Sequence, residues 1–473
     1  MFINNCIIQE EERKGGKMEK LFGTDGIRGR VNEAKMNVLT CVKYGLALGY
    51  YLQNSISSGP SRRAKVILGK DPRRSGYMFE DAIEAGLVSF GHNVFRATTL
   101  PTPALSYLIR SMAADFGVMI TASHNPYTDN GIKLFDEEGS KLLESVEREI
   151  EGIIEEIDDA WLIKHTTHET GVVKFIKAAR ERHIDFVKAS SGTPNLQDLR
   201  IVVDCANGAY SYEAPLIFSE LGATVIAINN DPNGLNINDG GSEKPEVMRA
   251  QVLESRADAG IAFDGDGDRV VMVDERGNYL DGDKILAIIA QDLHSKGKLI
   301  GPVVGTVETG LGFEETMKAY DIEMVRTDVG DKNVSAEMTD YRELLSSVGG
   351  ERSGHIILGD FGTTGDGAMA ALRVLSIVAE SDETLNEVAQ FVQKYEILDR
   401  TVEVVNKKPL EDCPTLQWAI ATAKQKLGDV SRVLVRYSGT QDVLRISIEG
   451  ENEDVYEEVA ELIEISYLKD LNL

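Results

Sequence analysis

The stretch FDGDGDR, residues 263–269, carries the clearest chemical signal in this sequence. Asp264, Asp266 and Asp268 alternate with glycines, and such a backbone can curl until three carboxylates face one hard cation. A calcium EF-hand is excluded, because Arg269 stands where the sharp turn of that loop requires glycine. Mg²⁺ fits better, since it takes few carboxylates and completes its shell with water or phosphate oxygens. The stretch therefore predicts a magnesium site, with a solvated acidic turn as the alternative.

A second signal is Ser123 in MITASHNPYTDNGIKLF, residues 119–135, where a short apolar run ends in polar residues. A serine hydroxyl is a poor nucleophile unless a neighbour activates it. A Ser-His-Asp hydrolase is excluded, because the stretch lacks the glycine-flanked turn that exposes such a nucleophile. His124 follows directly, but adjacent residues rarely face each other closely enough for base catalysis. Ser123 therefore serves another chemistry, or else it belongs to a polar turn.

Two later stretches hold groups that bind sugars and phosphates. In GGERSGH, residues 349–355, Glu351 can accept hydrogen bonds from sugar hydroxyls, Ser353 can donate or accept, and His355 can act as an acid or base near neutral pH. RYSGTQDVLR, residues 436–445, offers a guanidinium, hydroxyls and backbone N–H groups that suit a phosphate, namely Arg436, Ser438, Gly439 and Thr440, with Arg445 as a second charge. Alone, the first stretch also suits an ordinary polar loop and the second a hairpin turn.

Together the four stretches indicate phosphoryl transfer to or from a phosphosugar. They combine a serine, a cation site, a loop that suits sugar hydroxyls and a phosphate-binding loop. On that chemistry Ser123 needs no activation as a hydrolytic nucleophile. It can carry the phosphoryl group, while Mg²⁺ neutralises charge in the loose transition state.

The segments around these stretches predict how they are positioned. Strand-like and helix-like patterns alternate from about residue 64, recur over residues 199–275, and recur again over residues 281–327. Such alternation predicts parallel sheets built from βαβ units, whose strands gather ligand groups at their carboxyl ends. After about residue 390 a helix and short strands predict an antiparallel sheet. The fold class is therefore α/β, with three consecutive similar α/β domains of mixed, mostly parallel sheets and a small C-terminal α+β domain.

Composition excludes several partner classes. The net charge of −27 over 473 residues argues against nucleic acid and against an anionic membrane, and no apolar run is long enough to cross a bilayer. The first residues lack the pattern of a secretory signal and are interpreted as a disordered or poorly attached extension. The four cysteines are scattered, without metal or disulfide spacing, so we expect a cytoplasmic protein. Oligomeric state stays open between monomer and homodimer.

From residue 21 onward the chain resembles the α-D-phosphohexomutase superfamily. The resemblance is carried, in order, by FGTDGIRG, GKDPRRSG, TASHNPYTDNGIKLF, FDGDGDRVVMVDE, RTDVGDK, GGERSGH, TTGDG and RYSGT. Within the superfamily, LFGTDGIRGRVNE, GERSGHIIL and DFGTTGDG are most similar to the phosphoglucosamine mutases of bacteria. The resemblance implies four domains around a central cleft and interconversion of glucosamine 6-phosphate and glucosamine 1-phosphate, on the route to UDP-N-acetylglucosamine. The alternatives are a phosphomannomutase or phosphoglucomutase and, from another class, a non-catalytic phosphosugar-binding protein.

The resemblance also implies roles for single residues. Ser123 would be a phosphoserine that gives an oxygen to Mg²⁺, and Asp264, Asp266 and Asp268 would hold the ion. Catalytic candidates beside Ser123 are Arg28, His124, Lys133 and His355. Candidates for substrate binding are Glu351, Ser353, Arg436, Ser438, Gly439, Thr440 and Arg445. A sugar 1,6-bisphosphate would act as activator of the enzyme.

The domain boundaries follow from the same patterns. We predict an extension over 1–17, a phosphoserine domain over 18–175, a metal-loop domain over 176–273, a sugar-binding domain over 274–388 and a phosphate-binding domain over 389–473.

Several positions depart from the usual superfamily pattern. ETGLG stands at 308–312, Arg352 stands where glutamine is usual, and Gln441 and Asp442 replace the usual Glu-Pro. Gly240, Gly241, Ser242 and Glu243 replace a usual Cys-Gly-Ser-Thr. Asp442 places a carboxylate beside the predicted phosphate site, which weakens phosphate binding unless its side chain points away. These departures leave open which sugar is preferred.

Overall fold

The computed structural model describes residues 21–23, 25–55, 63–340, 343–404, 407–438 and 442–471. The predicted extension over 1–17 lies outside these residues, as do Gly439 and Thr440 of the predicted phosphate site. No helix in the described ranges is long and apolar enough to cross a membrane.

The first part of the chain forms a six-stranded sheet in the order β1-β5-β4-β2-β3-β6. Its elements are β1 (Ile27–Arg30), α1 (Val38–Ser55), β2 (Lys65–Lys70), α2 (Ser75–Ser89), β3 (Asn93–Thr99), α3 (Thr102–Ser111), β4 (Phe116–Ile120), β5 (Asp129–Phe135), α4 (Glu144–Glu156), α5 (Asp159–His165) and β6 (Val173–Phe175). β2, β3, β4 and β6 run parallel, whereas β1 and β5 are antiparallel to their neighbours. β4 is buried along its whole length, as its uninterrupted apolar run predicts.

The second part forms a five-stranded sheet in the order β11-β10-β9-β7-β8. Its elements are α6 (Ala179–Ser190), β7 (Arg200–Asp204), α7 (Glu213–Glu220), β8 (Thr224–Ile228), α8 (Glu246–Ser255), β9 (Ala259–Phe263), β10 (Val270–Asp274) and β11 (Tyr279–Leu280). β9 and β10 are antiparallel, with Phe263 opposite Val270. The aspartate-rich stretch is therefore the connection of a β-hairpin.

The third part forms a four-stranded sheet in the order β13-β12-β16-β17 and a two-stranded sheet of β14 and β15. Its elements are α9 (Gly282–Ser295), β12 (Val303–Thr306), α10 (Leu311–Ala319), β13 (Met324–Thr327), α11 (Asp331–Met338), β14 (Thr339–Asp340), β15 (Glu343–Leu344), β16 (Val348–Gly350), β17 (Ile356–Leu358), α12 (Gly367–Glu380) and α13 (Leu385–Ala389). One continuous apolar core joins the second and third parts, because α9 and α12 pack into the same cluster as β7, β9 and α7. The first part has two further apolar clusters, and one of them also includes Ala179 of α6.

The last part is a small antiparallel sheet in the order β18-β20-β19, covered by two helices. Its elements are β18 (Ile397–Glu403), α14 (Pro414–Leu427), β19 (Ser431–Tyr437), β20 (Val443–Gly450) and α15 (Tyr456–Asp470). The predicted fold class is confirmed, since three α/β parts with mixed, mostly parallel sheets precede this α+β part. The residue numbers of the domain boundaries stay a prediction.

Candidate active site

Ser123 lies just beyond the carboxyl end of β4, in a left-handed backbone conformation with φ of 49°. Its Oγ donates a hydrogen bond of 2.6 Å to Oδ2 of Asp264, and its side chain is almost fully buried. Its carbonyl oxygen accepts from Nη2 of Arg73 at 2.9 Å and from Nδ2 of Asn238 at 2.8 Å. Left-handed conformations of residues other than glycine are uncommon and persist only where neighbours enforce them. The structure thus holds the serine hydroxyl against the aspartate-rich loop.

The glycines of that loop are required by close packing. A Cβ on Gly265 would lie 2.7 Å from the carbonyl oxygen of Ser123, and one on Gly267 would lie 2.4 Å from the ring of Tyr210. Gly267 also has a left-handed φ of 77°, which favours glycine. The alternation of aspartate and glycine therefore lets the hairpin curl against the serine loop.

The three carboxylates of the hairpin fit a divalent cation. Asp264, Asp266 and Asp268 can each offer an oxygen within 4.8 Å of the others, and all three are buried. Oδ1 of Asp266 and Oδ1 of Asp268 are buried and have no hydrogen-bond donor among the described residues. Burial and the charges of Asp268 and Asp266 raise the pKa of Asp264 well above its ordinary value. Hard, closely spaced oxygens that need a positive charge suit Mg²⁺.

Lys133 on β5 neutralises part of this charge. Its Nζ lies 2.9 Å from Oδ2 of Asp266, 2.9 Å from Oδ2 of Asp268 and 3.1 Å from Oδ2 of Asp25. Burial lowers the pKa of Lys133, but the charges of these carboxylates outweigh it and raise the pKa well above the ordinary value. Lys133 therefore stays an ammonium at neutral pH. Its contacts use the Oδ2 atoms and leave both Oδ1 atoms available to a cation.

Arg28 reaches the serine loop from β1. It forms an ion pair with Asp25, and its Nη1 lies 3.4 Å from Oδ1 of Asn125. Asp25 is also paired with Lys141, which in turn is paired with Asp331 at the start of α11. Asp25 lies in the motif FGTDGIRG and Asp331 in RTDVGDK, whereas Lys141 belongs to no motif.

His124 is a neutral imidazole at physiological pH. Burial, together with the charges of Arg269 and Arg28, lowers its pKa to about 4. Its Nδ1 is buried without a hydrogen-bond partner in the described part of the chain. His124 is thus able to accept a proton beside Ser123 but does not carry one in advance.

His355 and Glu351 lie on the third part, facing the hairpin. Nε2 of His355 accepts a hydrogen bond of 2.8 Å from the backbone N–H of Gly365, and its Nδ1 lies 3.8 Å from Oδ2 of Asp268. Burial lowers the pKa of His355, but Asp268 and Asp331 outweigh it and raise the pKa above its ordinary value. Glu351 is buried, and its Oε1 accepts from the N–H of Gly330 at 3.1 Å.

The predicted phosphate site lies on the small antiparallel sheet. Arg436 on β19 stands directly opposite Arg445 on β20, and both line a cavity of about 370 Å³. Ser353 of the predicted sugar loop is exposed and lines the same cavity. Ser438 is buried. Arg352 of the sugar loop lines the cavity too, so the structure brings two residues of that loop together with two arginines of the phosphate site.

Asp442 does not lie against those arginines. Its side chain is exposed and forms an ion pair of 3.3 Å with Nζ of Lys407. The carboxylate is not among the side chains that line the cavity, and the charge of Lys407 offsets its own. A larger cavity of about 680 Å³ lies around α9 and the segment 389–397, and it is lined by none of the predicted site residues.

Sequence reasoning missed residues that hold the site together. Arg73 is fully buried, pairs with Asp71 at 2.9 Å and donates to backbone carbonyls of the serine loop. Thr102 donates to Oδ2 of Asp266 at 2.5 Å. Arg73 and Asp71 belong to the quoted GKDPRRSG motif, so a signal was present for them. Thr102 had none.

Four family models match consecutive segments of the chain. They describe phosphoglucomutase/phosphomannomutase alpha/beta/alpha domain I over residues 19–161, domain II over 174–277, domain III over 281–395 and the C-terminal domain over 401–465. A phosphoglucosamine mutase of Nitratidesulfovibrio vulgaris (strain DP4) is 45% identical over 94% of this chain and 97% of its own. One of Mesorhizobium japonicum is 44% identical over the same shares.

Solved structures share the fold at lower identity. A phosphoglucomutase/phosphomannomutase family protein of Burkholderia thailandensis matches with a TM-score of 0.79 and 20% identity, covering 96% of this chain and 98% of its own. An N-acetylphosphoglucosamine mutase of Aspergillus fumigatus, solved with GlcNAc-6P and magnesium, matches with a TM-score of 0.65 and 18% identity, covering 94% and 96%.

Proposed function

The chain belongs to the phosphoglucosamine mutase family, and we propose that it interconverts glucosamine 6-phosphate and glucosamine 1-phosphate through a phosphoserine at Ser123. The reaction is an intramolecular phosphotransfer, EC 5.4.2.10, on the route to UDP-N-acetylglucosamine in the cytoplasm. The observation that carries the proposal is the contact of the Ser123 hydroxyl with Asp264, at the edge of a buried carboxylate cluster. A serine hydroxyl beside these carboxylates can carry a phosphoryl group next to the cation that they would bind.

Asp264, Asp266 and Asp268 would hold Mg²⁺, and an oxygen on Ser123 would join them. Bound Mg²⁺ would supply neutralising charge to the phosphoryl group. Lys133 is a permanent ammonium beside the same carboxylates, and Arg28 adds a guanidinium close to the serine loop. Both are positioned to stabilise negative charge on the transferring group. Neutral His124 is the candidate to take a proton from the attacking hydroxyl, and His355, whose pKa is raised, would assist proton transfer.

The cycle balances without any outside phosphate donor once Ser123 is phosphorylated. The sugar hydroxyl oxygen attacks phosphorus, the bond to Oγ of Ser123 breaks, and the hydroxyl proton goes to a protein base. The resulting 1,6-bisphosphate turns end for end, and Oγ takes its other phosphoryl group. The bond from that phosphorus to the sugar oxygen breaks, and a protein acid returns the proton to this oxygen. Glucosamine 1,6-bisphosphate would therefore phosphorylate an unphosphorylated enzyme and act as its activator.

The small C-terminal part would hold the phosphate that does not react. Arg436, Ser438, Gly439 and Thr440 provide the proposed contacts, with Arg445 nearby, while Glu351 and Ser353 would bind sugar hydroxyls. The cavity shared by Arg436, Arg445 and Ser353 supports this arrangement. A site on a separate part of the chain can receive either end of the sugar, as the reorientation requires.

Turnover by the purified, Mg²⁺-loaded protein tests the proposal. Glucosamine 6-phosphate, mannose 6-phosphate and glucose 6-phosphate are compared in parallel, each with a trace of its 1,6-bisphosphate. We expect a clear preference for glucosamine 6-phosphate, loss of turnover in Ser123→Ala, and normal turnover in Ser111→Ala, whose hydroxyl is on the exposed side of α3. Preference for mannose or glucose would overturn the substrate, and an active Ser123→Ala variant would overturn the phosphoserine.

A further inference from the structure

A carboxylate stands beside the proposed phosphate-binding arginine. Arg436 forms an ion pair with Glu308, which follows β12 in the third part of the chain. Both side chains line the 370 Å³ cavity with Ser353 and Arg445, and Glu308 is 36% exposed there. A carboxylate in this place repels a phosphate bound to Arg436, because like charges at short range oppose each other. A substrate that brings a positive charge next to its phosphate removes the conflict.

The position of Glu308 is fixed on both sides. The carbonyl oxygen of Val307 accepts a hydrogen bond from Arg432, and the N–H of Leu311 donates to Glu449, so the backbone directly before Glu308 and three residues after it is bound to the small sheet. The N–H of Gly310 donates to Oδ2 of Asp283 at 2.8 Å. The loop therefore holds the carboxylate at the mouth of the phosphate site.

We propose that Glu308 is a specificity-determining residue that binds the C2 ammonium of glucosamine 1-phosphate when its phosphate lies on Arg436. The inference rests on the proposed function. In glucosamine 1-phosphate the ammonium is on the ring carbon next to the one that bears the phosphate. In glucosamine 6-phosphate it is across the ring, beyond the reach of a group beside the phosphate. Glu308 therefore favours the amino sugar in one of its two orientations and disfavours phosphosugars without an amine.

Equilibrium binding can distinguish a sugar bound with its 1-phosphate on Arg436 from one bound with its 6-phosphate there. The ratio of kcat/KM in the two directions is fixed by the equilibrium constant of the reaction, so a variant changes both values by the same factor. Calorimetric titration of the Mg²⁺-loaded Ser123→Ala chain avoids turnover. Its ligands are glucosamine 1-phosphate, glucose 1-phosphate and glucosamine 6-phosphate.

Adding Glu308→Gln to the Ser123→Ala chain should weaken the binding of one ligand and strengthen the binding of the other two. We expect the Kd of glucosamine 1-phosphate to rise about threefold to fivefold, as for loss of one partly exposed ion pair. The Kd values of glucose 1-phosphate and glucosamine 6-phosphate fall, because the repelling carboxylate is gone. Glu314→Gln is the matched control, since Glu314 is also paired with an arginine, Arg326 at 2.6 Å, but does not line the cavity.

The inference is overturned if Glu308→Gln lowers the Kd of all three ligands alike, because Glu308 would then only compete with phosphate for Arg436. Unchanged affinities for all three would overturn it as well. Failure of the proposed function is a separate result, since it shows as missing turnover of glucosamine phosphates by the unmodified enzyme. Binding with the opposite signs described above supports the inference in either case.

Discussion

Replacing Lys133 by methionine tests how much the buried ammonium contributes to the stability of the fold and how much to turnover. The ammonium of Lys133 is 1% exposed and contacts three carboxylates, those of Asp25, Asp266 and Asp268. Methionine has a similar length and no charge, so the variant removes the cation without opening a large cavity. The carboxylates are then left in a buried place with less compensation.

The magnitude follows from these distances. One ion pair at 2.9 Å has a Coulomb energy of about 6 kcal/mol at an effective dielectric constant of about 20, before the cost of desolvation. Desolvation of the ammonium offsets much of the attraction to the three carboxylates. Removal of one partner from a buried ion pair destabilises proteins by about 3–5 kcal/mol, and we expect a value in that range for Lys133→Met without metal.

Urea unfolding in EDTA and in excess Mg²⁺ checks the prediction. Mg²⁺ should stabilise Lys133→Met more than the parent chain, because the variant has lost the cation that shares the Asp266 and Asp268 carboxylates. Turnover should be lost in both conditions. Lys296→Met is the matched control, since Lys296 pairs with Asp292 and Glu380 at 2.8 and 2.7 Å but is 35% exposed, and we expect it to cost less than about 1 kcal/mol. A Lys133→Met chain as stable as the parent in EDTA would refute the reasoning.

Three further outcomes follow from contacts elsewhere. Asp366→Ala should destabilise the chain by about 2–4 kcal/mol in thermal unfolding, and Asp366→Asn by less, because Asp366 caps α12 and accepts from buried His183 at 3.0 Å. Burial lowers the pKa of His183, but hydrogen bonds to Asp366 and Glu213 raise it to about 9. The stability that this provides is fully present below the unfolded pKa of about 6.5 and is lost as pH rises through 9. Urea unfolding of the parent and of His183→Gln over this pH range should show a steeper loss of stability in the parent. Asp442→Asn should leave KM within about twofold of the parent, because the carboxylate is exposed and paired with Lys407; a large fall in KM would contradict this.

The sequence was sufficient for those parts of the site that repeat a local pattern. The aspartate–glycine alternation fixes both the carboxylates and the curl of their hairpin, since Gly265 and Gly267 have no room for a side chain. The alternation of strands and helices predicted the parallel strands. The uninterrupted apolar runs of β4 and β9 agree with it, because strands of parallel sheets are buried on both faces. Their carboxyl ends carry Ser123 and Asp264, and the structure joins these two at 2.6 Å.

Ion pairs between residues far apart in the chain could not be predicted from the sequence. β5 follows the serine loop as an antiparallel strand, and its Lys133 contacts carboxylates from two other segments. Lys141 is flanked by no motif, yet it is paired with Asp25 and Asp331. Such contacts depend on how separate sheets pack, and no periodicity within one segment encodes that packing. Asp442 shows the same limit, because only the structure reveals that its side chain faces Lys407.

The charges that serve the chemistry also join the parts of the chain. The second and third parts share an apolar core. The first part meets them through ion pairs, which join Lys133 to Asp266, Lys141 to Asp331 and Lys332 to Glu147, and also through apolar contacts such as the stacked rings of Tyr107 and Phe186. An interface that is partly polar permits relative motion more readily than a shared apolar core. A variant that neutralises one of these charges therefore loosens an interface and alters the site at once. Activity alone cannot separate the two effects. For variants of Lys133, Lys141 or Lys332 the dependence of stability on Mg²⁺ can, because these variants leave the proposed ligands of the ion in place.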